Sequence, residues 1–444
     1  MQEGSLQAPT RHIIDWQSDS FYDEAELDKE LRRVFDICHG CRRCFNLCDS
    51  FPTLFDLIDE SPSGECHDLK SEDFPKVVDA CTLCDLCFIN KCPYVPPHEF
   101  DVDFPHLMLR HRAVKAKTDG IEFIQKQLSK ADQLGEISTK IAPVVNWASD
   151  VSNKPVRKAI EVLTGIDANA ALPSYTNKTL CQQVAQAPHP INTKGPAFGR
   201  KAVLFATCFG NYNNPSIGLA AMKVLAHQGI EVKLAYPGCC GMPMLEKGDL
   251  KSVAEQAKKI SRALAAYVEQ GIPIISIIPS CSLMLKSEWP LLLPENQAVI
   301  NLSKTVMDIS EYMIFLNKQY TLENGLKPLD NKAVTLHLAC HSRAQNIGTK
   351  AAEMLRLIPD LTVQIIERCS GHGGTWGMMK ANFQTALKVG KPAAKQALTF
   401  DNPLVLSECP LAAKHILQGM QAQSGSGEYS TMHPIELVAN SYGI

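Results

Sequence analysis

Cys38, Cys41, Cys44 and Cys48 stand at C-x2-C-x2-C-x3-C spacing. Cys81, Cys84, Cys87 and Cys92 follow at C-x2-C-x2-C-x4-C, with Pro93 next. Three thiols at successive two-residue gaps can wrap one face of an iron–sulfur cubane, and the fourth ligates the other cluster in two-cluster ferredoxins. The spacing therefore predicts crossed ligand sets. Cys38, Cys41, Cys44 and Cys92 would hold one [4Fe–4S] cluster, and Cys81, Cys84, Cys87 and Cys48 the second. Structural zinc is the competing chemistry. It usually pairs two C-x2-C knuckles and leaves the third thiol of each run without a role. Cys66 has no partner at ligand spacing and reads as a loop thiol. Cys181 is likewise unassigned.

A second kind of cysteine site lies in a repeat in the C-terminal half. AVLFATCFGNYNNP at 202–215 matches AVTLHLACHSRAQN at 333–346, PGCCGMP at 237–243 matches ERCSGHG at 367–373, and IPSCSLM at 278–284 matches SECPLAA at 407–413. The offsets Cys208 to Cys340, Cys239 to Cys369 and Cys281 to Cys409 are 132, 130 and 128 residues, nearly constant as a duplication requires. In the first unit Cys208, Cys239, Cys240 and Cys281 are a candidate metal or redox site. In the second, Cys340, Cys369 and Cys409 are the candidates. Cys239 and Cys240 form the candidate redox pair, and Gly241 after them allows a tight turn.

These thiols need elements to carry them. Val203–Thr207, Val232–Tyr236 and Ile274–Ile278 are short apolar runs rich in β-branched residues, as buried parallel strands are. Asp249 to Gln270 reads as a helix, with Asp249 as N-cap and Gly271 as its stop. Strand–helix alternation gives an open α/β sheet, where ligand sites form outside the carboxyl ends of the strands. Each cysteine group follows a strand, so three strands deliver thiols to one edge. Upstream, Asp23–Ile37 reads as a helix with Leu27, Leu31, Val34 and Phe35 on one face. The loop-and-helix stretch Phe51–Val78 between the two cysteine runs favours a helical two-cluster domain. Stretches between Asp119 and Gly165 read as helices expected to pack on that domain, with a membrane surface or a partner as the alternative. Ala185–Gly199, with Pro188, Pro190 and Pro196, reads as a linker. Ile272–Leu285 reads as a buried strand running into a loop, too short and too proline-rich to span a membrane.

The pattern C-x30-C-C-G-x39-C is similar to the cysteine-rich CCG domain found in the B subunit of heterodisulfide reductase. The whole layout resembles the C-subunit family of anaerobic glycerol-3-phosphate dehydrogenase over about residues 20–440, through CFGNYNNP, CCGMP, PSCSLMLKSEWP, ACH, GHGGTWG and Leu172-Pro173. The resemblance implies two [4Fe–4S] clusters in a helical ferredoxin part. It implies electron transfer from a flavoprotein partner toward a quinone or another acceptor. A complete CCG motif offers five thiols for a non-cubane cluster and ends in C-x2-C. Here Cys281 is followed by Ser282, Leu283 and Met284, so the first unit keeps four thiols, enough for an additional non-cubane cluster. The second has Ser370 and Ala412 at motif positions and keeps three, so a cluster there would need His341 or His372 as a ligand.

The 444-residue chain carries 17 cysteines, nine of them between Cys38 and Cys92, at a net charge of −3 with no long basic run. That excludes nucleic-acid binding driven by bulk charge. The polar segment Met1–Trp16, with Glu3 and Arg11, is no secretory signal. The expected location is cytoplasmic, with a peripheral seat on the inner membrane face as the variant. No dinucleotide fingerprint or P-loop is present, since Gly371-His372-Gly373-Gly374 has the wrong spacing, so no flavin or NAD is expected. The expected fold is α+β multidomain: an all-helical [4Fe–4S] ferredoxin-type domain over 20–115, a helical connector and linker over 116–198, and duplicated parallel-sheet α/β CCG domains over 199–325 and 330–440. The expected role is an electron-transfer protein between a flavoprotein dehydrogenase or similar donor and a quinone or soluble acceptor such as a rubrerythrin-like protein. The alternatives are an enzyme acting directly at the CCG cysteines, related to heterodisulfide reductase, and a scaffold component of a redox complex.

Overall fold

The computed structural model describes residue 4 and residues 7–187, 190–322, 325–424 and 427–444. Glu3 and Pro188, used above, lie outside the described residues.

The N-terminal quarter is helical. α1 (Glu24–Cys41) starts where the Asp23 carboxylate accepts from the Glu26 amide, and it buries Leu27, Leu31, Val34 and Phe35. It runs past the expected end at Ile37, because the stop is Arg42, whose left-handed backbone (φ 51°) lets its N–H bond the Cys38 carbonyl. α2 (Ser50–Asp59), α3 (Phe74–Ala80) and α4 (Phe104–Thr118) close around an aromatic core. In it the Phe35 and Phe74 rings stand 5.3 Å apart and the Phe51 and Phe104 rings 4.7 Å.

Five helices follow: α5 (Phe123–Leu128), α6 (Ala131–Lys140), α7 (Ala142–Ser149), α8 (Lys154–Thr164) and α9 (Leu180–Gln186). The expectation that this segment packs on the N-terminal helices needs correction, because its ties run to the α/β half. The inner face of α6 is small: Gly135 leaves no room for a Cβ against the Tyr212 ring, and Ser138 and Thr139 are buried. Within α8, buried Arg157 donates to the carbonyls of Asp167, Ala168 and Ala170 just past the helix. Ile166 there pairs with Met379 of the second α/β unit. The expected linker is also tied down, since Asn192 N–H bonds Ala226 O and Ala197 N–H bonds Gln228 O.

Each α/β unit is a parallel four-stranded sheet. β1 (Lys201–Phe205), β2 (Glu231–Ala235), β3 (Ile274–Ser276) and β4 (Val306–Asp308) lie in the order β2-β1-β3-β4. β5 (Ala333–His337), β6 (Thr362–Ile366), β7 (Leu404–Ser407) and β8 (Ser430–Met432) repeat it as β6-β5-β7-β8. Central β1 buries Ala202 to Phe205 without a break, as a strand covered on both faces must. Edge strand β2 is only half-buried. In the first unit come α10 (Cys208–Tyr212), α11 (Pro215–His227), α12 (Met242–Leu245), α13 (Leu250–Glu269) and α14 (Pro279–Leu283). Asp249 caps α13 by accepting from Ser252 N–H. The Ile272–Leu285 run enters a helix rather than the expected loop, because Pro279 sits at its first position, where no amide hydrogen is needed.

The two units interlock. The helix Ile309–Tyr320 of the first packs on Lys350–Leu355 of the second, and the last helix, Pro434–Tyr442, packs on α11 of the first. One apolar cluster runs from Ile14 to Tyr442, so the repeats share a core. Among the described residues no helix is long and apolar enough to cross a membrane.

Candidate functional site

The N-terminal thiols fall into two groups. Cys38, Cys41, Cys44 and Cys92 line one cavity with Arg42, Arg43, Phe51 and Phe55. α1 brings Cys38 and Cys41 on its last turn, and Arg42, left-handed, turns the chain so that Cys44 faces back. Burial, then the neighbouring Cys92, Cys44 and Cys41, raises the Cys38 thiol well above its ordinary pKa. Burial likewise lifts Cys92 to about 11.

Cys48, Cys81, Cys84 and Cys87 form the other group. Burial raises Cys48, with Cys84 and Cys81 adding to it, and burial raises Cys87, with Cys84, Cys81, Cys48 and Cys44 adding to it. Leu83 (φ 48°) and Asp85 (φ 61°) flank Cys84 in the left-handed region. That conformation costs non-glycine residues roughly 1–2 kcal/mol each. Strain of this kind is expected where a loop must aim successive thiols at one point. Cys66 is buried in a single turn beside the first group, and its thiol is pushed up to about 11 by burial. Cys181 stands in the first turn of α9, apart from both.

In the first α/β unit, Cys208 opens α10 after β1, Cys239 and Cys240 follow β2, and Cys281 lies in α14 after β3. The sheet order reverses direction between β1 and β3, the switch point where open α/β sheets form their sites. The Cys239 and Cys208 sulfurs lie 3.8 Å apart. Hydrogen bonds from Cys208, from Cys240 and from the Gly241 amide hold the Cys239 thiol well below its ordinary pKa. Gly241 (φ +86°) turns the chain directly after the pair. Thr207, ahead of Cys208, is β-branched yet sits at φ 56°, where its hydroxyl accepts from the Gly210 amide. Such an outlier marks a strained site.

The second unit places Cys340, Cys369 and Cys409 around one cavity, and Cys84 of the N-terminal part lines the same cavity. Burial lifts Cys84 to about 12, with Cys369 the next contributor. Gly373 is the close contact that admits this loop, since a Cβ there would run into Thr82. Cys409 in turn lies within electrostatic reach of Cys281. His341 is spent on structure: Nδ1 pairs with Ser280 Oγ at 2.8 Å and Nε2 with Leu83 O at 3.3 Å. His372 lines the cavity with a buried Nε2 that has no hydrogen-bond partner.

Among the described residues no group of three or more His, Cys, Asp or Glu gathers as a single metal ion would require. Three participants escaped the sequence reading. Asp132 accepts from Tyr236 Oη and, at 2.8 Å, from the Cys239 amide, yet in sequence it is one acidic residue on a polar helix. Thr207 carries no signal in its residue type. Arg112 donates to the Cys81 carbonyl from 31 residues away.

The CCG cysteine-rich domain model matches residues 202–286. The chain is 28% identical to the C subunit of anaerobic glycerol-3-phosphate dehydrogenase from Escherichia coli (strain K12), over 71% of this chain and 76% of that protein. It is 27% identical to an iron-sulfur protein of Methanocaldococcus jannaschii, over 50% of this chain and 42% of that one. It is 26% identical to the D subunit of dihydromethanophenazine:CoB–CoM heterodisulfide reductase from Methanosarcina acetivorans, over 54% and 59%. The chain is thus a homologue of the C chain of anaerobic glycerol-3-phosphate dehydrogenase and of the D chain of heterodisulfide reductase, and it carries a CCG cysteine-rich domain.

Proposed function

We propose that this chain is an iron–sulfur electron-transfer subunit. In this reading Cys38, Cys41, Cys44 and Cys92 hold one [4Fe–4S] cluster and Cys48, Cys81, Cys84 and Cys87 the other, in a helical ferredoxin-type domain over 20–115. A connector over 116–198 leads to CCG domains over 199–325 and 330–440. The thiol groupings fit a cubane, which binds one thiolate to each of four irons and so needs a wider ring than a single ion. Bound there, such clusters supply reversible one-electron storage. The chain's own residues aim the thiolates, keep water from Cys81 and Cys87, and set the distance between centres.

One observation carries this reading: Cys84 lines the cavity of Cys340, Cys369 and Cys409. With Cys44 acting on Cys87 and Cys281 acting on Cys409, the four thiol groups form one continuous series. A series of adjacent soft-ligand sites is what relaying electrons requires. The ends of the series would meet the partners: a flavoprotein dehydrogenase or similar donor, and a quinone or soluble acceptor. Exposed Ile137, Val144, Trp147, Val162 and Leu163 on the connector give a partner apolar surface to cover.

Anaerobic purification with metal analysis tests the proposal. The expected result is a brown protein with about eight irons from two cubanes. Zinc without iron would overturn it. A second reading, direct reduction of a disulfide at the first unit, is favoured by the low-pKa Cys239 beside Cys208. Turnover of a disulfide by the isolated chain, abolished by Cys239→Ser, would establish it.

A further inference from the structure

Arg112, on α4, presents its guanidinium to three backbone carbonyls. Nη1 donates to Glu246 O at 3.0 Å, while Nη2 donates to Val78 O at 2.7 Å and to Cys81 O. These acceptors are neutral, so the hydrogen bonds leave the positive charge uncancelled. The carboxyl of Glu246, which also acts on this region, is pushed up to about 7 by burial and so offers only part of a charge in return. Arg11 and Arg42 of the N-terminal part are, by contrast, paired with carboxylates. Arg11 is clamped by Asp85 at 2.8 Å, by Asp103 at 2.8 Å and by Glu288 at 3.3 Å. Arg42 is paired with Asp59, and Arg43 is exposed. Arg11 also cancels Asp85, the carboxylate next to Cys84 in sequence.

Adding an electron to a thiolate-bound cluster adds negative charge. A half-buried cation at a ligand's own carbonyl stabilises that state more than a screened surface charge does. We infer that Arg112 holds the centre at Cys48, Cys81, Cys84 and Cys87 at a higher reduction potential than the centre at Cys38, Cys41, Cys44 and Cys92. This rests on the two-cluster reading above. Electrons then run downhill from the first set to the second and on toward Cys340, Cys369 and Cys409. One electron leaves the first set as one arrives at the second, with no proton moved and no bond made. Arg112 is a positioning residue whose charge sets direction.

The test is a potentiometric titration followed by electron paramagnetic resonance on the anaerobic full-length chain. Wild type should show two waves, and Cys92→Ser should alter the lower one. Arg112→Gln should move the higher wave down and leave the lower in place. Arg112→Lys, which keeps the charge but not the three-way hydrogen bonding, should move the higher wave by less, and Arg262→Gln, on the exposed face of α13, should move neither. A higher wave unmoved in Arg112→Gln, or both waves falling together, overturns the inference. Should Arg112→Gln not retain its iron, Arg112→Lys decides, and it must shift the higher wave alone. Wild-type protein without iron would overturn the cluster reading, whereas iron-loaded protein with an unmoved wave overturns only the role of Arg112.

Discussion

The Asp132 carboxylate accepts a hydrogen bond at 2.8 Å from the backbone N–H of Cys239, 107 positions away in sequence. The same carboxylate takes the Tyr236 hydroxyl, so one connector residue fixes both ends of the turn that presents the Cys239–Cys240 pair. The connector is thereby a wall of the first thiol site.

Asp132→Ala should loosen that turn. It orphans a buried amide and a phenol, a cost of about 1–3 kcal/mol for each buried partner left unmade. Urea unfolding should report the loss, and Cys239 should alkylate faster. Asp132→Asn, which keeps an acceptor oxygen, should lose less. An Asp132→Ala protein with wild-type stability and alkylation rate would refute the clamp.

The crossed thiol groups make a prediction about pairs. If Cys48 shares a cluster with Cys84, the double change Cys48→Ser with Cys84→Ser should cost no more iron than either alone. Cys48→Ser with Cys41→Ser should cost about twice as much, because two clusters are hit. Iron per chain after anaerobic reconstitution decides between this and sequential ligation within each run.

His341→Phe should weaken the junction of the three parts. The imidazole joins Ser280 of the first unit to Leu83 of the N-terminal part. Phenylalanine has similar volume but leaves the hydroxyl and the carbonyl unpaired, so the loss should be about 1–3 kcal/mol by denaturant unfolding. A larger fall in iron content than in stability would instead point to a ligand role for His341.

Acid should destabilise the second unit through His337 and His433. Burial lowers His337 to about 4 and His433 to about 3. His433 Nδ1 accepts from the Ile435 amide, and His337 bonds Ser407 and Arg368 O, so both rings are held neutral. A histidine with a depressed folded pKa stays unprotonated while the unfolded chain takes up its proton near 6.5. Their contribution is therefore intact above about pH 6.5 and is lost as pH falls toward 4 and 3. At pH 5 the loss should be about 2 kcal/mol for each ring, at about 1.4 kcal/mol per pH unit. Unfolding free energies at pH 7 and pH 5 for wild type and His433→Asn check this, and equal pH slopes would refute it.

How much of this was legible in the sequence follows from the range of each cause. Cysteine spacing is local, so the two runs and the grouping of Cys92 away from its own run could be read from residue order. So could the strand-end thiols, because buried parallel strands show as unbroken apolar runs and the repeat fixes their register. Tertiary structure alone decided what touches what. Cys84 lines one cavity with Cys369 and Cys340, Asp132 holds Cys239, and Arg112 caps the Cys81 carbonyl because distant elements come together. Nothing in a lone aspartate, arginine or histidine codes for such a neighbour. Residue types and spacing set which chemistry the chain can support, while the packing of interlocked units sets the order in which the sites meet. Packing depends on contacts between residues a hundred or more positions apart, and local pattern carries no record of them.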